Sequence, residues 1–426
     1  MPRIRPVPVA GVFAGLALVA AIAYFGSFLI AGAFYAVFFF ALVVTAPRYA
    51  LLLIFATAPF TYDVGGGPVN LAASELSLVA ALPFFLLSAE PRQWRRLNNP
   101  FWLAVIAYFL VCVFSTAANG TLFSGLSSLL QMSVYCVLTV LVFSVGLRSV
   151  GQVVPALYGL MFSCVLLSLL MLATRSSSPL GLHKNLAGTE LMYATIIGVE
   201  LWLAQTTRKS RKNGLTLLLA LVVAGLVASC SRGAWLGAFV GVMAILMIRS
   251  QYKLAARVFL LLIPIIFAGW FLVSDKTRET ALTLGLESNS GSGGARLVSA
   301  QYAFRVFLQN PLYGEGVGLR KQYDATNVVL STLAETGVMG AVTFLSIYAA
   351  LYYMAWKASR RISRSDPMFS LLCIGVSLMT AKFIHGCLDH FWSRGVVPVW
   401  AGAGFVIYAY HEARRRSRSP KRLQKG

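Results

Sequence analysis

The sequence predicts an all-α integral membrane protein: a polytopic bundle of about 12–14 transmembrane helices with one long polar loop. Three observations carry that expectation. Of 426 residues, 58% are hydrophobic and only 12% charged, where a soluble domain carries roughly a quarter charged residues. Apolar runs of about 20 residues recur from Val7 to Tyr410, each long enough to cross a hydrocarbon core of ~30 Å as a helix. The runs are apolar on all sides and lack strand-like alternation, so helices satisfy their backbone in lipid.

In chain order the runs fall at 8–26, 28–46, 49–62, 72–89, 100–118, 126–147, 150–173, 188–206, 214–231, 234–249, 257–274, 328–356, 367–387 and 395–411. The first follows Arg3 and Arg5 in the manner of a signal peptide. A second run opens near Phe28 with no soluble stretch between, so the first reads as an uncleaved helix. The third and tenth are short. Residues 1–411 form one transmembrane domain on this reading, with 274–327 as a long external loop and 412–426 as a basic cytoplasmic tail.

The net charge is +22, from 36 Lys and Arg against 14 Asp and Glu. In a soluble chain that excess would suggest nucleic acid. Here the basic residues sit in short loops, where the positive-inside rule accounts for them and no nucleic-acid partner is needed. With the N-terminus inside and the spans alternating, every inner segment holds a basic residue. These segments carry Arg3 and Arg5; Arg48; Arg92, Arg95 and Arg96; Arg148; Arg208 to Lys212; Arg249, Lys253 and Arg257; Lys357 to Arg364; and the tail. Both termini are therefore expected in the cytoplasm, and the tail suits anionic headgroups of the lipid bilayer. The six cysteines show no metal-ligand spacing and mostly lie in apolar runs, as small buried hydrophobes do.

The unusual polar residues collect on the outer side. Arg232, in Cys230-Ser231-Arg232-Gly233-Ala234-Trp235, stands between two runs, where a cation lines a polar cavity or snorkels to the interface. His183, Lys184 and Asn185 lead into a helix and offer an anion site or ordinary interfacial polarity. The segment 274–327 exceeds the ~12–15 residues of a plain connector. It holds a Gly-rich stretch, Gly291 to Arg296, expected to be flexible, then an amphipathic segment from Val298 to Phe307 with Arg305. Asn310-Pro311-Leu312-Tyr313-Gly314-Glu315-Gly316-Val317-Gly318 and Arg320 follow. Its glycines permit close backbone approach to a ligand. Lys382, His385 and Asp389 fall on one face of the penultimate helix, followed by His390, Trp392 and Arg394. That stripe reads as a functional site or as an internal ion pair.

No Walker-type loop, His-Glu-x-x-His or Asp-x-Asp motif is present. The outer acids Asp275, Glu279, Glu287, Glu315, Asp324, Glu335 and Asp389 are sparse for a divalent-metal cage. Neither a metal nor a cofactor is expected, and phosphate handling falls to Arg, whose planar fork suits pyrophosphate oxygens.

Ser231 to Ala234, the Arg-bearing loop, the run 310–318, Asn327 with Leu333-Ala334-Glu335-Thr336-Gly337, and His183 to Ala187 together resemble the bacterial O-antigen ligase and polymerase superfamily. The likeness is strongest over about 180–340. It implies a metal-independent glycosyltransferase of the bacterial inner membrane with a periplasmic active site. The implied donor is a polyprenyl-diphosphate-linked glycan, and the acceptor is another glycan or lipid A-core. It also implies that Arg232 and Arg296 contact the donor pyrophosphate. Arg305, Arg320, His183, Lys184, Asn185, Lys382, His390 and Arg394 are further candidates for substrate binding.

Ligases of this family commonly carry His before the Asn at the post-loop helix, where this chain has Thr326-Asn327. The turn Asp389 to Gly395 looks like that of exopolysaccharide-assembly members. A polymerase joining repeat units of an exported polysaccharide is therefore favoured, working beside other assembly and export proteins. The alternatives are an O-antigen ligase and a non-catalytic polysaccharide-binding or transport protein. Candidate bases are His385 with Asp389, then Asp324 and Glu335, each within reach of a loop or helix end on the outer side.

Overall fold

Helices built from the apolar runs make up the architecture. The computed structural model describes residues 28–61, 71–204, 209–260, 292–319, 327–389, 391–392 and 395–418. The expected span 8–26 and most of 257–274 lie outside the described residues. The helices are α1 (Phe28–Thr45), α2 (Pro47–Thr57), α3 (Ala73–Leu87), α4 (Pro100–Ala118), α5 (Leu122–Ser144), α6 (Val154–Thr174) and α7 (Lys184–Ala204). They continue as α8 (Lys209–Ala228), α9 (Arg232–Ile248), α10 (Ser292–Gln309), α11 (Val328–Ser359), α12 (Pro367–Gly386) and α13 (Val397–Arg418). Among the described residues six helices are long and apolar enough to cross a membrane, or seven if α3 and the bent segment Pro91–Leu97 form one span.

The centre of the bundle is made from helices that see little lipid. In α2 every residue from Tyr49 to Ala56 is buried, and Gly159 of α6 sits against the Leu52 carbonyl. Helix α13 is buried from Val397 to Tyr410. It crosses α12 where Gly402 and Gly375 let the two backbones meet. Outward faces stay apolar: Leu103 of α4 and Val342 of α11 are 72% and 62% exposed, as a lipid-facing surface requires. Helix α5 contains a π-helical stretch, Ser133–Leu138.

Helix α9 lies along α12 through Gly233, Gly237 and Gly241. Built-in Cβ atoms there would press on His385, on Met192 with the Ala381 carbonyl, and on Ile196 with Ala381. Small residues at four-residue spacing allow such close helix contact in lipid, where dispersion rather than water exclusion drives association.

One end of the bundle gathers the basic loops assigned to the inner side. Arg96 pairs with Glu412 at 3.1 Å, donates to the Ser144 and Leu147 carbonyls, and lies over the Tyr408 ring. Arg249 pairs with Glu200 and reaches Ser370 Oγ at 3.0 Å. Arg364 donates to Ser250 Oγ, and Arg416 pairs with Asp366. The charge count placed these segments on one side, and they meet there. Helix α13 continues through the first tail residues to Arg418.

Of the long loop, residues 292–319 are described, and much of that stretch is helical. The Gly-rich stretch expected to be flexible enters α10, which starts at Ser292. Ala303 and Val306 of α10 pack on Ala334 of α11, with Tyr302, Leu319 and Leu330 around them. That apolar contact is enough to hold a helix whose start is weak in propensity.

Candidate functional site

At the end opposite the basic loops, the N-termini of α7, α9 and α11 converge on the C-terminus of α12. Gly188 of α7 sits against Ser231 and Ala234, and Gly233 of α9 against the His385 ring. Asn327 caps α11 by accepting from Val329 N and Leu330 N, and its amide donates to the Cys387 carbonyl at 3.0 Å. Helix N-termini carry partial positive charge and favour anions.

Two of these N-termini use a side-chain cap. His183 Nδ1 accepts from Asn185 N at 3.3 Å, so His183 closes α7, while His183 and Lys184 stay exposed and Asn185 half-buried. The α9 N-terminus differs. Ser231 makes no side-chain capping bond, and its Oγ is buried without a hydrogen-bond partner. The preceding Cys230 adopts φ +51°, the left-handed turn that separates α8 from α9. Arg232 is exposed at the first helical position.

Beneath this rim lies a buried ionisable cluster. Lys382, His385 and Asp389 are 1%, 2% and 4% exposed. His385 Nε2 lies 3.3 Å from Thr189 Oγ1. Thr189 already donates its proton to the Asn185 carbonyl at 2.7 Å, so the imidazole donates through Nε2 and Nδ1 is the basic nitrogen of the neutral ring. Asp389 follows the end of α12 but keeps its N–H on the His385 carbonyl at 2.9 Å. Lys382 is within electrostatic reach of Asp389 and Glu190 and lies 5.9 Å from the Phe391 ring centroid.

Two residues of this region were missed by sequence reasoning. Glu75 of α3 and Glu190 of α7 are 0% and 1% exposed and belong with the cluster. The signal was present: each is an acid at the outer end of an apolar run, and intramembrane acids are expensive.

The 310–318 run approaches a helix rather than open space. Within α11, Gly337 takes φ 63°, ψ −163° and breaks the helix. Val338 N and Met339 N turn from their own helix to the Pro311 and Leu312 carbonyls. In exchange the Ala334 and Glu335 carbonyls accept from Glu315 N and Gly316 N. Glu335 Oε1 accepts from Gly318 N at 3.0 Å. Ser115, Thr116 and Asn119 at the end of α4 bind the same assembly. The loop thus supplies the backbone bonds that the break removes, and Glu335 is a structural ligand of it.

Arg296 is half-buried and Arg305 exposed on α10. Arg320, Asp324, His390 and Arg394 lie outside the described residues, as does Thr326. Trp392 stacks on Trp400 with centroids 5.7 Å apart, so it packs inward and supports the turn.

These features define a polytopic, all-helical membrane protein with an anion-suited rim over a buried ionisable cluster. Residues 217–345 match the family model described as O-Antigen ligase. The matched stretch includes Arg232, Arg296 and Glu335 but neither α7 nor α12. No curated protein matches the chain in sequence.

Proposed function

We propose that this protein is a glycosyltransferase acting at the periplasmic face of the bacterial inner membrane. It takes a polyprenyl-diphosphate-linked oligosaccharide and transfers it to a glycan acceptor, joining repeat units of an exported polysaccharide. The observation that carries this reading is the α9 N-terminus. An exposed Arg232 and a partnerless buried Ser231 Oγ stand there beside His385, inside the family-matched region. An anionic leaving group is stabilised by such donors as its charge develops. Arg232 holds the diphosphate and Arg296 closes on it from α10. His385 Nδ1 takes the proton of the attacking hydroxyl as the carbon–oxygen bond to the diphosphate breaks. The polyprenyl diphosphate departs, and no metal takes part.

The match to the O-Antigen ligase family model over 217–345 supports a ligase as the second reading. A strain lacking the protein separates the two. Loss of a polymerase leaves single repeat units on the lipid carrier, whereas loss of a ligase leaves finished polymer on it. Normal polymer attached to its usual acceptor would refute both.

A further inference from the structure

Helix α10 packs on α11 by one face. Ala303 and Val306 are buried against Ala334 of α11. On the opposite side Leu297, Phe304 and Leu308 are exposed, and their i, i+7, i+11 spacing aligns them within an arc of about 40° on a helix. Phe307 borders this stripe, its ring centroid 6.2 Å from that of Phe304. The exposed Gln301 and Arg305 edge it on the other side. Among the described residues nothing covers the stripe.

The depth of α10 follows from α11. Beyond the break at Gly337, α11 runs on to Ser359. Its exposed residues there include Val338, Met339, Val342 and Leu345, then Tyr352, Tyr353 and Trp356, with the Arg360 guanidinium 4.2 Å from the Trp356 ring. Aromatic and basic residues of this kind mark a membrane interface. From Val338 to Trp356 is about 27 Å at a rise of about 1.5 Å per residue, close to the ~30 Å of a hydrocarbon core. Gly337 therefore stands at the opposite interface, and Ala334 and Leu330, which hold α10, lie at headgroup depth. The lipid-facing surface of α11 also continues toward α10. Val338 N and Met339 N bond the Pro311 and Leu312 carbonyls, and Leu312 is exposed shortly after Leu308 in the chain.

We propose that α10 is an interfacial helix whose Leu297, Phe304 and Leu308 stripe is seated in the phospholipid leaflet at this end of the bundle. Such helices lie in the plane of the interface with the apolar face about 5–10 Å into the boundary between headgroups and acyl chains. Arg305, at the edge of the stripe, reaches lipid phosphates while its stem stays on apolar surface. The inference needs the membrane bundle and not the transferase reading, so failure of transfer leaves it intact.

The test places a nitroxide on the full chain in phosphatidylglycerol nanodiscs, at Leu297→Cys, Phe304→Cys, Leu308→Cys or Gln309→Cys. Cys230 and Cys387 are replaced by Ala; the other four cysteines are buried and so unreactive. Oxygen concentrates in hydrocarbon, whereas a water-soluble nickel chelate is excluded from it. Labels on the stripe should relax severalfold more with oxygen than with the chelate, and that ratio should fall severalfold at Gln309. Relaxation dominated by the chelate at the three stripe positions puts the stripe in water and overturns the proposal. Weak relaxation by both reagents overturns it too, because another part of the chain or a second copy then covers the stripe. Where a labelled variant does not accumulate, wild-type protein is photolysed in nanodiscs with phosphatidylglycerol bearing a diazirine on its acyl chain, and adducts are mapped by mass spectrometry. Adducts between Leu297 and Leu308 are expected alongside those between Val338 and Leu345. Adducts in the second stretch alone overturn the proposal.

Discussion

The chemistry assigned to single residues differs according to what each side chain already holds. Glu335 Oε1 accepts from Gly318 N, so one oxygen of its carboxylate holds the 310–318 run. Glu335→Gln preserves an acceptor and should retain most activity. Glu335→Ala strands a part-buried N–H, a loss of about 1 kcal/mol, which a thermal melt would read as a lowered midpoint. Equal loss of turnover in both variants at unchanged stability would make Glu335 a base after all. His385 is different, because the bond to Thr189 leaves Nδ1 basic. His385→Ala should abolish transfer while protein levels and donor binding persist. Polymer made at the normal rate by that variant would move the base to Asp324 or Asp389.

Among the elements, α11 shows a structural cost tied to one residue. Gly337 sits at a backbone conformation reserved for glycine, and a Cβ there would strike Leu312. Gly337→Ala should therefore destabilise the protein by at least ~1–3 kcal/mol, seen as a lower melting midpoint and as faster proteolysis within 310–318. An unchanged melt would mean that the α11 break is not required. Helix positions were legible in the sequence because lipid forces long apolar runs to be helical, and α8, α9 and α12 fall close to their expected limits. The break in α11 was not legible, since its bonds come from residues 311–316, distant from the helix's own hydrogen-bonding ladder. The glycines of 310–318 showed close approach but not its target. Lys382, His385 and Asp389 were legible as charges in an apolar helix. Glu75 and Glu190 were overlooked because each sits inside a run that hydropathy alone assigns to lipid.

At the scale of the whole molecule, the polar contacts sort the described loops into two ends. Arg96 with Glu412, Arg249 with Glu200 and Arg416 with Asp366 mark one end. Asn327 with Cys387 and Thr189 with His385 mark the other. The positive-inside rule assigns the first to the cytoplasm. Cysteine introduced at Ser290 should then react with a membrane-impermeant thiol reagent in intact spheroplasts, and cysteine at Ser363 should not. The reverse pattern would put the α9 rim in the cytoplasm and end the periplasmic account.

The central claim is that Arg232, at the open N-terminus of α9, stabilises a departing diphosphate. The most direct measurement is release of polyprenyl diphosphate by purified protein in nanodiscs supplied with a lipid-linked oligosaccharide, comparing wild type with Arg232→Lys. A lysine keeps the charge but loses the two-pronged donor geometry, and losing one such donor costs roughly 2–4 kcal/mol of transition-state stabilisation. Wild type should release polyprenyl diphosphate in step with glycan lengthening, and Arg232→Lys should be slower by at least about thirtyfold. Equal release by the two proteins, or none by wild type, would contradict the account.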